Sequence, residues 1–547
     1  MKAINLGFVV ISMIILSGCA FQSETADLIV HNAVIYTVDD NFSVAEAMAI
    51  KDGRILEVGA ERAILNKYTA SVNIDAGKKF IYPGFIDAHC HFLGYGKNLM
   101  EANLMNAKSW NEVVQRVKEH APASQTQWIL GRGWNQEEWE IREFPDRTML
   151  DSLFPDRPVF LQRIDGHAAI ANGQALKLAG ITSATQVAGG EVALKNGVPT
   201  GLLVDNAMTL VEDIIPEYNQ EQLKEALLRA QANCFAAGLT TVDDAGLMHD
   251  EIELIRNLQE SGNLKMRIYA MLSDDPENYD VYLARGIDTT SERLTVRSFK
   301  FYADGALGSR GACLLQPYED LPSTKGFLLS GEDHFRDATR KLHDAGFQVN
   351  THAIGDSANR IILKVYGEML QGSNDRRWRI EHAQVVHKAD LNSFGRYNII
   401  PSVQPVHATS DRSMALLRLG RNRISRGYAY RELKEQIGLL ALGTDFPVED
   451  ISPLATYRSA VFRRTSKGQE PFLPDNALTP EEALRGMTIW AAISNFEENK
   501  KGSLEAGKYA DFIMLNRDLL KSEISNFEEI KVLSTYVSGE RVYSRED

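Results

Sequence analysis

The sequence predicts an α/β protein: a (β/α)₈ barrel of the TIM type, with a small β-sandwich domain built from both chain ends. Three observations lead there. Apolar strand-like runs alternate with amphipathic helical stretches through the middle of the chain. Both ends read as short strands joined by tight turns, and polar residues recur at the ends of successive middle strands. Alternating strand and helix implies parallel strands joined by right-handed crossovers. Seven or eight such units suit a closed barrel better than an open sheet.

The chain opens with a segment apart from this fold. Lys2 gives a positive start, Leu6 to Leu16 is apolar, and Ser17, Gly18 and Cys19 follow. The apolar run is shorter than the about 20 residues of a spanning helix and fits a secretory signal over residues 1–19. Small residues before a cysteine resemble the lipobox of bacterial lipoproteins, which makes Cys19 the expected lipidation site; an ordinary signal peptide with an incidental cysteine is the alternative. Ala20, in place of an acidic residue, favours the outer membrane, so the expected location is the cell envelope, lipid-anchored on the periplasmic side.

From Asp27 the strands Leu28 to Asn32, Ala33 to Val38, Ala45 to Ile50 and Arg54 to Val58 follow, with Asp52-Gly53 marking a hairpin. Ala510 to Leu515, Ile530 to Val537 and Arg541 to Tyr543 are the matching runs near the C-terminus. One composite β domain over 27–82 and 495–545 is therefore expected. In the middle, 83–494, the strand-like runs are Gly238 to Asp244, Val296 to Asp304, Gly346 to His352, Trp378 to His382, Ile399 to Val406 and Ile437 to Asp445. Glu221 to Ala237 and Glu332 to Ala345 carry apolar residues at helical spacing. The stretch around 101–200, rich in Trp, Pro and Gly, breaks this rhythm. It reads as barrel elements interrupted by an insertion over the strand mouths. Trp134 and Trp139 there either line a partly apolar pocket or simply pack.

Composition narrows the function. With 59 basic and 73 acidic residues among 547, the net charge of −14 argues against a nucleic-acid partner. Besides Cys19 the cysteines are Cys90, Cys234 and Cys313; three cannot all pair, and free buried thiols are the simpler reading. A small-molecule substrate is the expected partner, membrane contact is expected only through the N-terminal lipid, and homo-oligomers are compatible with the sequence.

The chemistry lies at the strand ends. His89 and His91 stand two apart after an apolar strand, so they face the same way, as two ligands of one ion require. Lys300, His352, His382 and Asp445 each fall near the end of their own strand, and in a barrel those ends converge on one mouth. His31, His120, His249, His334, His343 and His387 lack that placement and read as structural.

With these residues in place, the chain resembles the amidohydrolase superfamily, in its amidohydrolase-3 branch of metal-dependent hydrolases, over about Asp27 to Tyr543. The resemblance rests on Pro83 to His91, Arg163 to His167, Lys300 to Ser309, Thr351 to Asp356, Ile380 to Gln384, Gln404 to His407, Gly443 to Pro447, and Gly502 to Asp511. It implies that His89, His91 and Asp445 bind one divalent metal and that His352 and His382 bind a second where two are present. It further implies a carboxylated Lys300 bridging the two, with an unmodified lysine paired to an acid as the alternative. Zinc is the default ion for imidazole and carboxylate ligands, with manganese, iron or nickel as substitutes. Asp445 would shuttle the proton. His167 would help polarise the carbonyl, or else support the site from behind, and His407 and Arg163 would bind substrate. The expected activity is hydrolysis of the carbon–nitrogen bond of an amide, formamide or cyclic amide. The alternatives are an ester, lactone or carbamate hydrolase on the same site, and a non-catalytic metal- or solute-binding lipoprotein.

Overall fold

The computed structural model describes residues 24–122 and 127–546; the signal segment and Cys19 lie outside the described residues. Eight parallel strands run in strict chain order. They are β1 (Phe85–Cys90), β2 (Leu239–Leu247), β3 (Arg267–Ser273), β4 (Leu294–Tyr302), β5 (Gln348–Ala353), β6 (Arg379–His382), β7 (Ile400–Val403) and β8 (Ala441–Leu442). The ring closes just beyond β8, where Asp445 N–H donates to His89 O at 2.8 Å and His91 N–H donates to Phe446 O at 2.8 Å. A Cβ on Gly443 would stand 2.6 Å from His89 N, so only glycine lets the last strand come this close to the first. The (β/α)₈ barrel is therefore present.

The barrel strands are apolar and buried on both faces, as parallel strands covered by helices must be. The helix Gln220–Ala237 precedes β2. It starts on a capping box from Asn219 and Gln222 and ends at Gly238, whose φ of 88° suits a left-handed cap. The helix Glu332–Asp344 precedes β5 and buries Phe335, Ala338 and Leu342. Of the eight strands, β3 is the one that sequence periodicity does not single out: Arg267 begins it, and that charge is buried in the ion pair described next.

The chain ends form two further sheets. One holds Arg54–Gly59, Ala47–Lys51, Glu24–His31 and Tyr68–Asp75. The other combines Glu540–Ser544, Val532–Val537 and Phe512–Leu515 with Phe80–Pro83, Val34–Tyr36 and Val44–Ala45, so both termini contribute to it. The turns Asp52-Gly53 and Ser538-Gly539 each place two residues at positive φ, the hairpin geometry that matches strand twist. Arg267 clamps this domain to the barrel through a buried two-pronged pair with Asp511, at 2.6 and 3.0 Å.

The segment from 102 to 205 is an insertion, as the sequence leads one to expect, but it contains no barrel element. Rather than interrupted barrel elements, it forms its own six-stranded mixed sheet, from Ala102–Asn103 through Val198–Asp205, and supplies none of the eight barrel strands. Trp134 and Trp139 pack in its core and donate to Leu161 O and Ala107 O, so of their two readings packing holds. Among the described residues Cys90, Cys234 and Cys313 are free and buried, and no helix is long and apolar enough to cross a membrane.

Candidate metal centre

The strand ends open into a cavity of about 650 Å³, into which His91, Lys300, His352, His382 and Asp445 project. Asp445 is the hub. Its Oδ1 stands 3.3 Å from His91 Nε2 and 3.6 Å from His89 Nε2, and its Oδ2 stands 3.6 Å from His407 Nε2. Ligands about 2.1 Å from a tetrahedral ion lie roughly 3.4 Å apart, so this spacing fits co-ligands of one metal. Two three-residue groups have ligand atoms within 4.8 Å of one another: His89, His91 and Asp445, and then His382, His407 and Asp445. His407, read as a substrate-binding residue, thus stands among the candidate ligands. The His352 ring packs 4.6 Å from that of His382, with Nε2 at 3.7 Å from Asp304 Oδ1.

Donor atoms here lack protein partners. His89 Nε2, His352 Nε2, His407 Nε2, Asp445 Oδ1 and Lys300 Nζ are all buried without a hydrogen bond. Buried polar atoms are nearly always paired, and five orphans converging at one mouth fit a bound cation and an added anion. Second partners set the tautomers. Glu381 is held down at about 2 because Arg379 and His89 outweigh its burial; as an ionised acceptor it takes the Nδ1 proton of His89 at 2.6 Å. His382 Nδ1 meets Gln404 Oε1 at 2.7 Å, and His167 Nδ1 meets Asp205 Oδ1 at 2.7 Å. For His89 and His382 this leaves Nε2 free, the arrangement usual for metal-ligating imidazoles.

Electrostatics favour the same state. Burial drives His91 down to about 4 and holds His352 and His382 well below the usual histidine range, keeping these rings neutral. Burial alone would raise Asp445, but His91, its Nε2 3.3 Å from Oδ1, and the surrounding imidazoles hold it well below the ordinary carboxylate range. Lys300, 1% exposed, is pushed down to about 8 by burial and lies 4.0 Å over the Tyr302 ring. His382 and Asp445 both adopt left-handed backbone, φ 71° and 64°, a strain on the order of 1–3 kcal/mol each that clusters at functional sites.

Several further residues shape the site. Arg163 lines the cavity, and its guanidinium donates to Gln136, Asn135 and Asp165, which ties it to the loop carrying His167. Arg132, from the insertion sheet, lines the same cavity and is absent from the sequence reading. Asp205, Glu381 and Asp304 were also not singled out. Asp304 accepts backbone N–H bonds from Cys313, Ile354 and Gly355, tying the loops after β4 and β5 together. Asp205 ends an apolar strand just as Asp445 does, a signal that the broken rhythm of its segment conceals. A second cavity of about 610 Å³, near Lys97, Glu101 and Tyr218, contains none of the candidate ligands.

Comparison with known proteins points the same way. Residues 73–543 match the model of the Amidohydrolase family. The protein LONG AFTER FAR-RED 3 of Arabidopsis thaliana is 35% identical, the alignment covering 95% of this chain and 92% of that one. The N-substituted formamide deformylase of Arthrobacter pascens is 27% identical over 96% of this chain and 99% of its own. An uncharacterised metal-dependent hydrolase of Pyrococcus horikoshii OT3 superposes with a TM-score of 0.75 at 28% identity, covering 90% of this chain and 98% of that chain.

Proposed function

Because the chain belongs to the amidohydrolase family and is a hydrolase of carbon–nitrogen bonds other than peptide bonds, we propose that it cleaves an amide, formamide or cyclic amide by attack of an activated water. The observation that carries this reading is the convergence of orphaned donors around Asp445. His89, His91 and Asp445 would hold one divalent ion, preferably zinc, and His352 and His382, with His407 beside them, a second. Such an ion polarises a carbonyl and lowers the pKa of water from about 15.7 to about 7.

The chain's own groups supply the rest. Asp445, ionised and central, accepts the proton of the attacking water and returns it to the leaving nitrogen. His167, its Nδ1 engaged by Asp205 and its proton affinity raised because Asp205 outweighs burial, donates from Nε2 to the developing oxyanion. The insertion sheet walls one side of the cavity and limits water around the reacting carbonyl.

Lys300 fits a carbamate. A neutral Nζ attacks carbon dioxide, an N–C bond forms, and the nitrogen releases one proton to solvent. The product is an anion at a position where a bare ammonium has no hydrogen-bond partner. An anion between two cations offsets their repulsion.

The reading is tested by turnover of N-acyl amino acids, formamides and cyclic ureides by the metal-loaded protein. Hydrolysis of at least one class, lost on chelation and regained with zinc, is expected. Cleavage of esters or lactones with no amide turned over would replace the proposed substrate class. A metal-loaded protein inert to all of them would favour a binding role.

A further inference from the structure

Several charged side chains at the cavity have an opposite charge in contact: Arg163 has Asp165, Arg418 behind the wall has Glu137 and Asp320, and His167 has Asp205. Arg132 differs. It extends from the strand Ile129–Trp134 into the cavity shared by His91, His167 and Asp445. Among the described residues no carboxylate oxygen lies within ion-pair distance of it. Its hydrogen bonds are long, Nη1 to Gln162 Oε1 at 3.3 Å and Nη2 to Ile164 O at 3.4 Å, and its buried Nε has none. A guanidinium carries five N–H donors in a fork matched to a carboxylate. Leaving most of them unused in a partly desolvated pocket is costly.

The space in front of this group is kept open. A Cβ on Gly166 would stand 3.0 Å from Arg132 Nη2, and φ there is 72°, so a glycine meets both the backbone and the clearance requirement. Gly166 immediately precedes His167, so the guanidinium of Arg132 lies against the loop that carries the oxyanion donor, on the same cavity wall. We infer that Arg132 binds a carboxylate of the substrate, so that the amide hydrolysed here is an N-acylated or N-formylated amine bearing an acid group. This inference rests on the carbon–nitrogen reading above.

Charge decides between a carboxylate and a phosphate. Asp165, Glu137, Glu138, Asp411, Glu449 and Asp450 line the same cavity, and their field opposes a dianion. One guanidinium matches one monoanion. Arg142, exposed at the rim, steers an acid inward without holding it.

The test compares N-formylphenylalanine with N-formylphenethylamine, which differ only in the carboxylate, on zinc-loaded wild type, Arg132→Gln and Arg132→Lys. Wild type prefers the acid, and Arg132→Gln lowers the acid-to-neutral ratio of kcat/KM by about 10- to 100-fold, mainly through KM. Arg132→Lys keeps part of the preference because charge survives without the fork. A merely structural role would lower both substrates together and leave the ratio in place, which would overturn the inference; so would a wild-type ratio near one. Calorimetric binding of phenylpropionate against phenylpropanol gives a readout free of turnover. If neither amide is hydrolysed but the preference for phenylpropionate depends on Arg132, the carbon–nitrogen reading fails and the carboxylate site stands. Phenylpropionate binding equally well to Arg132→Gln, as it would through the metal alone, removes Arg132 from recognition.

Discussion

At the scale of single residues, the proposed function separates the groups that would touch the reaction from those that would aim them. Asp445 would be of the first kind, and Asp445→Asn would remove the proposed proton acceptor and weaken a candidate ligand at once. We expect kcat on the best amide to fall by about 10²–10⁴-fold; near-wild-type turnover would take Asp445 out of the mechanism. Glu381 belongs to the second kind. It fixes the His89 tautomer and is itself gripped by Arg379, whose Nε lies 3.0 Å from Glu381 Oε1. Glu381→Gln should weaken metal affinity by about 10–100-fold with the fold retained, as read by competition with a chelator; unchanged affinity would make Glu381 a packing residue. The convergence of His89, His91, Lys300, His352, His382 and Asp445 was legible in the sequence because each ends an apolar run. Glu381 was not, since strand alternation puts it opposite His382. The left-handed backbone of His382 breaks that alternation, so both neighbours serve the interior.

At the scale of elements, the site sits on the seam where the barrel closes. His89 and His91 stand at the end of the first strand, Asp445 follows the last, and backbone bonds between them align these candidate ligands. Asp87 reinforces the seam by accepting from Thr444 N–H at 3.0 Å and from Thr444 Oγ1 at 2.6 Å. Gly443→Ala would drive a Cβ into His89 N and Asp87 Oδ1. The expected cost is about 1–3 kcal/mol, seen as a lower thermal midpoint, together with a loss of bound metal. A variant keeping wild-type metal content would show that the seam does not set the site. The barrel strands and the terminal hairpins were readable from period and turn chemistry. The place of the insertion was readable too, but its fold was not, because its strands are mixed in direction and interrupted by Gly and Pro, so no single period dominates. For the same reason the sequence pattern does not mark Arg132, which the insertion delivers to the cavity, or Asp205, which it sets behind His167.

At the scale of the whole molecule, three parts divide the work. The barrel gathers the candidate ligands, the insertion sheet walls the cavity, and the two chain ends form a domain locked on by the buried Arg267–Asp511 pair. Where the protein resides is a separate proposal, resting on residues 6–19 alone. Cys19→Ser should release the protein from membranes or stall its maturation. A correctly cleaved variant that still fractionates with membranes would refute the lipid anchor. The central claim, a metal-dependent hydrolase at the strand ends, is tested most directly by the metal content of folded protein, wild type beside a His89→Ala, His91→Ala double variant of unaltered circular dichroism. The account predicts two divalent ions per wild-type chain and loss of at least one in the variant. A wild-type protein that turns over amide with no bound metal, or a variant that keeps its full complement, would contradict it.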